Sequence, residues 1–222
     1  MASVDDVGVV VRPCQKKDTL EAKKVFREGC VSNSQDIFRI FLHRSSSRLY
    51  ISVMAFLAWL VFRSYIVAGS AIIILILILY AVSYIKSVAY AKSRLMADLQ
   101  DITKNYIDNR RATFFVADDG GDIVGTISLS EMRSDPLALE LQTLSVSRLY
   151  RRMGIGKTLI ESAIQFGKKR RYTRILAHVG EYQLGAQAAL AKSGFYLKSK
   201  KLVTFFAFFQ LYQKIYIYDF KK

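Results

Sequence analysis

The segment 139-LELQTLSVSRLYRRMGIGKTLIESAIQFGK-168 decides how the rest of the chain is read. Leu139 to Ser147 is apolar or small apart from Glu140 and Gln142, and lies between Pro136 and the charges that begin at Arg148, as a buried strand would. After the turn Arg151-Arg152-Met153-Gly154-Ile155-Gly156, residues Leu159, Ile160, Ala163, Ile164 and Gly167 recur at helical spacing. A strand-to-helix turn of this kind presents unpaired backbone N–H groups at a helix N-terminus, and glycines let an anion approach them. The first expectation is a phosphate site. A Walker A loop would need glycine where Arg151 stands, although Gly156-Lys157-Thr158 matches its end. A dinucleotide fingerprint would need glycine where Leu159 stands.

Composition narrows the setting. The chain has 222 residues, 33 Lys+Arg against 18 Asp+Glu, a formal net charge of +15, and a positive mean hydropathy, so apolar and basic residues must be segregated. Such a charge suits a membrane surface, a phosphorylated cofactor or nucleic acid. Cys14 and Cys30 form neither a disulfide framework nor a metal-ligand cluster, and no metal is expected. The absence of an Asn-x-Ser/Thr acceptor and of a charged-then-apolar leader points to a reducing compartment.

In chain order, Val7 to Val11 reads as a short strand ended by Arg12-Pro13. Asp18 to Gly29 reads as an amphipathic helix closed by Gly29, and Gln35 to Leu42 as an approach to a membrane. Leu49 to Phe62 and Ile66 to Ile85 are long apolar runs parted by Arg63-Ser64-Tyr65. The second is long enough to span a bilayer, whereas the first, at roughly 21 Å as a helix, is short. Arg39, Arg44 and Arg48 before the pair, and Lys86, Lys92 and Arg94 after it, place both ends on the cytoplasmic side and make the pair a hairpin. Lys86 to Tyr106 reads as a helix leaving the membrane. Ala112 to Ala117 and Ile123 to Ser130 form a hairpin about a Gly-Gly turn, and Met132 to Pro136 is a loop. Thr173 to Val179 is a strand, Tyr182 to Lys192 a helix, and Tyr196 to Leu202 and Lys214 to Phe220 are closing strands. The order is that of a mixed α/β domain interrupted by an insertion: residues 1–42 carry the first strand and helix, 43–92 the membrane hairpin, and 93–222 the remainder.

What fits the turn is Arg/Gln-x-x-Gly-x-Gly/Ala at a strand-to-helix junction, followed by an Ala-rich helix ending in Gly194-Phe195. Here the sequence resembles the GNAT superfamily of acyl-CoA-dependent N-acetyltransferases. Asp98-x-x-Asp101-Ile102-Thr103-Lys104-x-Tyr106, the hydrophobic pair, Leu144-Ser145-Val146-Ser147 and Gln183-x-Gly185-Ala186 resemble the camello-like N-acetyltransferase 8 family, which includes the aspartate N-acetyltransferase. The resemblance implies a mixed-sheet GNAT fold with an inserted transmembrane hairpin. It also implies a place in the endoplasmic reticulum membrane, with the catalytic domain in the cytoplasm. The implied activity is transfer of acetyl from acetyl-CoA to an amine: a cysteine S-conjugate, an amino acid or a protein lysine. The bilayer is then a partner, nucleic acid is not, and no feature sets an oligomeric state.

By the same resemblance, the diphosphate of acetyl-CoA would sit on backbone N–H groups from Arg152 to Gly156 (Arg152, Met153, Gly154, Ile155, Gly156), with pantetheine along Leu144, Ser145 and Val146. The charges of Arg151, Arg152 and Lys157, together with the helix dipole, favour an anion there. Glu140 stands where some members draw a general base, which a lysine-like ammonium of pKa about 10.4 needs. His178 at the end of the next strand is a second candidate for the acceptor side. Many members place a tyrosine acid four residues before the Gly-Phe pair, where this chain has Leu190; Tyr182 or Tyr196 could substitute. Leu190 therefore leaves a catalytically impaired acetyl-CoA-binding module as the alternative. Phe205, Phe206, Phe208 and Phe209 read either as an aromatic shelf on the bilayer or as the core side of a bent strand. Lys168-Lys169-Arg170-Arg171 reads as a solvated helix end or an anionic-lipid contact.

Overall fold

The computed structural model describes residues 8–206 and 209–220, with the side chains of 204–210 left out of the account. Seven strands form one sheet in the order β1-β2-β3-β4-β5-β7-β6: β1 Val10–Pro13, β2 Ala112–Asp119, β3 Asp122–Met132, β4 Asp135–Val146, β5 Arg174–Gly180, β6 Tyr196–Phe206 and β7 Phe209–Asp219. Neighbours are antiparallel except β4 and β5, which run parallel. Among the described residues there are five α-helices: α1 Thr19–His43, α2 Ser45–Phe62, α3 Tyr65–Met96, α4 Ile155–Lys169 and α5 Leu184–Lys192, of which α1, α4 and α5 pack on the sheet.

The two faces of the sheet bury different sets. On one, Leu159, Ile160 and Ala163 of α4 and Leu190 of α5 pack on Leu139, Leu141, Ile175 and Ala177. On the other, Ala22, Val25, Phe26 and Cys30 of α1 and Ala91 of α3 pack with Phe114, Val116 and Tyr106. Both cysteines are buried and free, and burial pushes the Cys30 thiol up to about 12.

Several expected boundaries move. Gly29 does not end the first helix, because α1 continues to His43. A Cβ at Gly29 would run into the Ser145 hydroxyl, so glycine lets the helix lie against β4. The stretch Gln35–Leu42 is the end of that helix, where Ile37 and Phe41 pack on Leu79 of α3. Lys86 to Met96 is not a separate helix but the end of α3, and residues 103–107 form a wide π-type turn. The loop expected at Met132–Pro136 contracts, since β4 starts at Asp135. The pairing with β3 is irregular between Glu131 and Met132, where a missing Pro136 N–H costs nothing. The closing strands extend toward each other through the phenylalanine run, but Phe208 and the side chains of Phe205, Phe206 and Phe209 lie outside the described residues.

The insertion is a pair of apolar helices joined by two residues, with Arg63 in the left-handed region at φ 51°. Both helices are long and apolar enough to cross a membrane, and only 6% and 11% of their most apolar windows are buried. α2 is longer than its apolar run because Ser45 to Arg48 supply a polar first turn. Its 18 residues reach about 27 Å, close to the bilayer core. At the far tip the Arg63 guanidinium lies 5.5 Å from the Trp59 ring, beside Tyr65.

Arg12 fastens the start of the domain, donating to Asp18 at 2.6 and 3.0 Å and to Asp118 at 2.8 Å. Its guanidinium holds both carboxyls below the usual carboxylate range. Their contribution to stability is therefore complete above about pH 4 and is lost as pH falls through the depressed values. Thermal midpoints measured in detergent between pH 6 and pH 3 should fall more steeply in the native chain than in Arg12→Gln; equal slopes would remove the assignment. Gly29→Val should cost about 1–3 kcal/mol by overpacking, read as a lowered midpoint, and Ser145→Gly in the same chain should recover part of the loss.

Candidate functional site

The site forms where β4 and β5 part. Their parallel pairing runs from Ala138↔Arg174 to Leu141↔Ala177 and stops. β4 goes on beside β3 to Val146, and β5 goes on beside β7 to Gly180. Between them lie two strand edges whose N–H and C=O groups face a gap rather than each other, ready for a ligand with amide groups of its own.

Thr143 takes φ 51° at an irregularity in the β3–β4 register, and this bulge exchanges the faces of the strand. Before it, Leu139 and Leu141 point to the α4 side; after it, Leu144 and Val146 do so. The Thr143 hydroxyl donates to Ser128 Oγ at 2.8 Å, and Thr126 Oγ1 donates to the Thr143 carbonyl at 2.9 Å, which holds the bulge. Ser145 donates its hydroxyl to the Val25 carbonyl of α1 at 3.1 Å. Of Leu144, Ser145 and Val146, then, the side chains serve packing, and the backbone edge is what faces the gap.

The basic turn follows directly. Arg151 Nε donates to the Val146 carbonyl at 3.1 Å and its Nη2 to Ser32 Oγ of α1 at 2.7 Å, so this arginine fixes the turn between strand and helix. Arg152 at φ 68° and Gly154 at φ 89° bend the chain so that α4 starts at Ile155, which is buried and anchors it. The first N–H groups of α4 have no partner within the helix and carry its positive dipole end. A Cβ at Gly156 would make only ordinary contacts with Ala189 and Val146, so internal packing does not demand glycine there. Lys157 lies at the turn, 3.4 Å from Glu161. Met153 packs against the core edge.

Glu140 and Gln142 lie on the α1/α3 face, opposite Leu139 and Leu141. Gln142 is held by Arg94 of α3, whose Nη2 donates to Gln142 Oε1 and, at 2.8 Å, to Asp98 Oδ2. Tyr106 donates to the same Asp98 oxygen. Sequence reasoning passed over Arg94 and Gln142, although the i, i+4 spacing of Arg94 and Asp98 is a readable signal. Glu140 is half-buried, and among the described residues it has no hydrogen-bond or ion-pair partner in the protein. His178, exposed and two residues beyond the partner of Glu140, shares that face of the sheet.

The two tyrosines separate clearly. Tyr196 is 51% exposed and donates to Asp219 Oδ2 at 2.6 Å on the far edge of the sheet. Tyr182 follows β5 and packs with the Ile37, Phe41 and Leu79 cluster. Its phenol lies near Cys30 and Tyr90, and burial pushes it up to about 12. Leu190 is wholly buried in the α4-side core. No group of three or more His, Cys, Asp or Glu suited to a metal occurs among the described residues.

The sequence matches the acetyltransferase (GNAT) family over residues 79–195. It is 30% identical over 188 residues to mouse (Mus musculus) N-acetyltransferase 8, covering 83% of each chain. In structure it resembles a GNAT-family acetyltransferase from Staphylococcus aureus Mu50, with TM-score 0.57, 17% identity, and coverage of 96% of this chain and 99% of that one. It also resembles the PaiA N-acetyltransferase of Thermoplasma acidophilum in complex with coenzyme A, with TM-score 0.53, 16% identity, and coverage of 96% and 99%. A mixed sheet parting at β4 and β5, a basic glycine-bearing turn at the gap and these likenesses agree: the chain belongs to the GNAT family of acetyltransferases and is related to N-acetyltransferase 8.

Proposed function

We propose that the chain is a membrane-embedded N-acetyltransferase that moves acetyl from acetyl-CoA to a primary amine, carried by a small molecule such as a cysteine S-conjugate or amino acid, or by a protein lysine. The observation that carries this reading is the parting of β4 and β5 next to the phosphate turn, with an unpaired Glu140 on the acceptor face. The fit to the coenzyme rests on this chain's own groups: free strand edges at 142–146 for pantetheine amides, and the N–H groups of Arg152 to Gly156 for the diphosphate. The GNAT-family relative bound to coenzyme A lends the class of cofactor. The membrane-crossing role rests on two long bare helices that leave and re-enter the same domain. Location in the endoplasmic reticulum, with the domain in the cytoplasm, follows the camello-like resemblance and the flanking positive charges.

Bound acetyl-CoA would supply an activated thioester and a thiol leaving group. Glu140, directly or through a water, takes a proton from the incoming ammonium so that the neutral amine can attack. Arg94 holds Gln142, two residues on, and thereby fixes the strand that carries Glu140. Tyr182, kept protonated by burial, hands a proton to the departing sulfur. A thiol of pKa near 8.5 leaves tolerably well, so this second transfer assists the reaction more than it decides it.

Gly154→Glu should abolish acetyl-CoA binding, measured by titration calorimetry in detergent; unchanged affinity would remove the turn from the site. Glu140→Gln should lower kcat by about 10²–10⁴ with little change in acetyl-CoA affinity, and full activity would exclude it as the base. Tyr182→Phe should lower kcat by about 10² in thiol-release assays, with the loss shrinking as the leaving thiol is made more acidic; a loss independent of leaving-group acidity would show a packing role only.

A further inference from the structure

Beside the basic turn, on the α1 side, lies a cleft of about 360 Å³ that adjoins the backbone N–H groups proposed for the diphosphate and is lined by side chains. Arg39 of α1 and Arg148, Arg151 and Arg152 of the turn line it, with Ser32 and Asp36 on the helix wall. Four guanidinium groups thus face one carboxylate. Asp36 reaches only Arg39, at 3.8 Å, and that pair is largely solvated. Arg151 is fixed by its bonds to Val146 and Ser32, so one wall of the cleft is preset. Among the described residues the side chains of Arg148 and Arg152 have no hydrogen-bond or ion-pair partner, and both are exposed. Four like charges around one concavity repel one another, and a multiply charged anion seated there would relieve that repulsion.

We infer that this cleft is a second phosphate subsite, which reads a phosphomonoester dianion: the 3′-phosphate of the coenzyme whose diphosphate lies on the neighbouring turn. The inference rests on the coenzyme reading above. A diphosphate spread over backbone N–H groups carries its charge along the chain of the ligand and needs few side chains. A terminal phosphomonoester presents three oxygens in one place, which guanidinium forks match. The arrangement ties the coenzyme to α1, the helix that leads into the membrane hairpin, so that coenzyme binding and the seating of α1 on the domain reinforce each other. The same chemistry could come from an anionic lipid headgroup, since Arg44 and Arg48 continue the basic run toward α2. The cleft's position next to the turn favours the coenzyme.

The test uses the full chain in uncharged detergent, with acetyl-CoA and 3′-dephospho-acetyl-CoA titrated separately, and compares the native sequence with the Arg39→Gln, Arg148→Gln double variant. The native chain should prefer acetyl-CoA by about tenfold or more, and the double variant should bring the ratio of the two affinities close to one. A ratio near one in the native chain, or a ratio unmoved by the substitutions, overturns the subsite. Failure of both compounds to bind the native chain would instead overturn the coenzyme reading itself. A parallel arm adds micelles doped with phosphatidic acid or phosphatidylcholine. If phosphatidic acid alone protects Arg39 and Arg148 from arginine-directed modification and acetyl-CoA does not, the phosphate is a lipid's and the coenzyme assignment is wrong.

Discussion

The parting of β4 from β5 after Leu141↔Ala177 is the constraint on which the site depends. Two parallel strands that stayed paired would satisfy their own edges and leave nothing for a ligand. The Thr143 bulge turns β4 away, and the hydroxyls of Thr126, Thr143 and Ser145 stabilise that departure with bonds to β3, β4 and α1. The same bulge exchanges faces, so Glu140 and Gln142 lie on the α1/α3 face while Leu144 and Val146 pack against the α4 core. The phosphate turn then begins where the strand has been aimed. One irregular residue therefore sets the gap, the orientation of the acid and the start of α4.

The helical insertion is built into this arrangement rather than hung from it. α1 packs on the strand through Gly29 and Ser145 and on α3 through Phe41 and Leu79. Arg44, between α1 and α2, reaches Glu181 at 2.7 Å beyond β5, and Arg94 at the base of α3 holds Gln142. Both ends of the apolar pair are thereby tied to the two strands that part. α1 thus leads from the sheet directly into two helices that are long and apolar enough to cross a membrane.

Much of this was legible in the sequence, for physical reasons that differ from part to part. The phosphate turn was readable because its glycines and arginines sit at fixed places between a period-two and a period-3.6 pattern. The Gly120-Gly121 hairpin was readable because its turn has strong local chemistry. Gly29 misled, since a glycine inside a helix looks like a terminator until the strand beneath it is known. The bulge was invisible because a threonine at φ 51° leaves no compositional trace and is imposed by tertiary bonds. Tyr182 and Tyr196 could not be told apart by spacing, yet their surroundings differ completely, one in an apolar cluster by the gap and one on the far edge. Leu190 looked like a missing acid and is a core residue.

Amide hydrogen exchange on the full chain in micelles, with and without acetyl-CoA, addresses the central claim most directly. If the parted strand and the turn form one coenzyme seat, acetyl-CoA should slow exchange together along residues 142–146 and 152–156 while leaving the β6–β7 edge unaltered. Protection at the turn without the strand, or protection confined to the apolar helices, would contradict it.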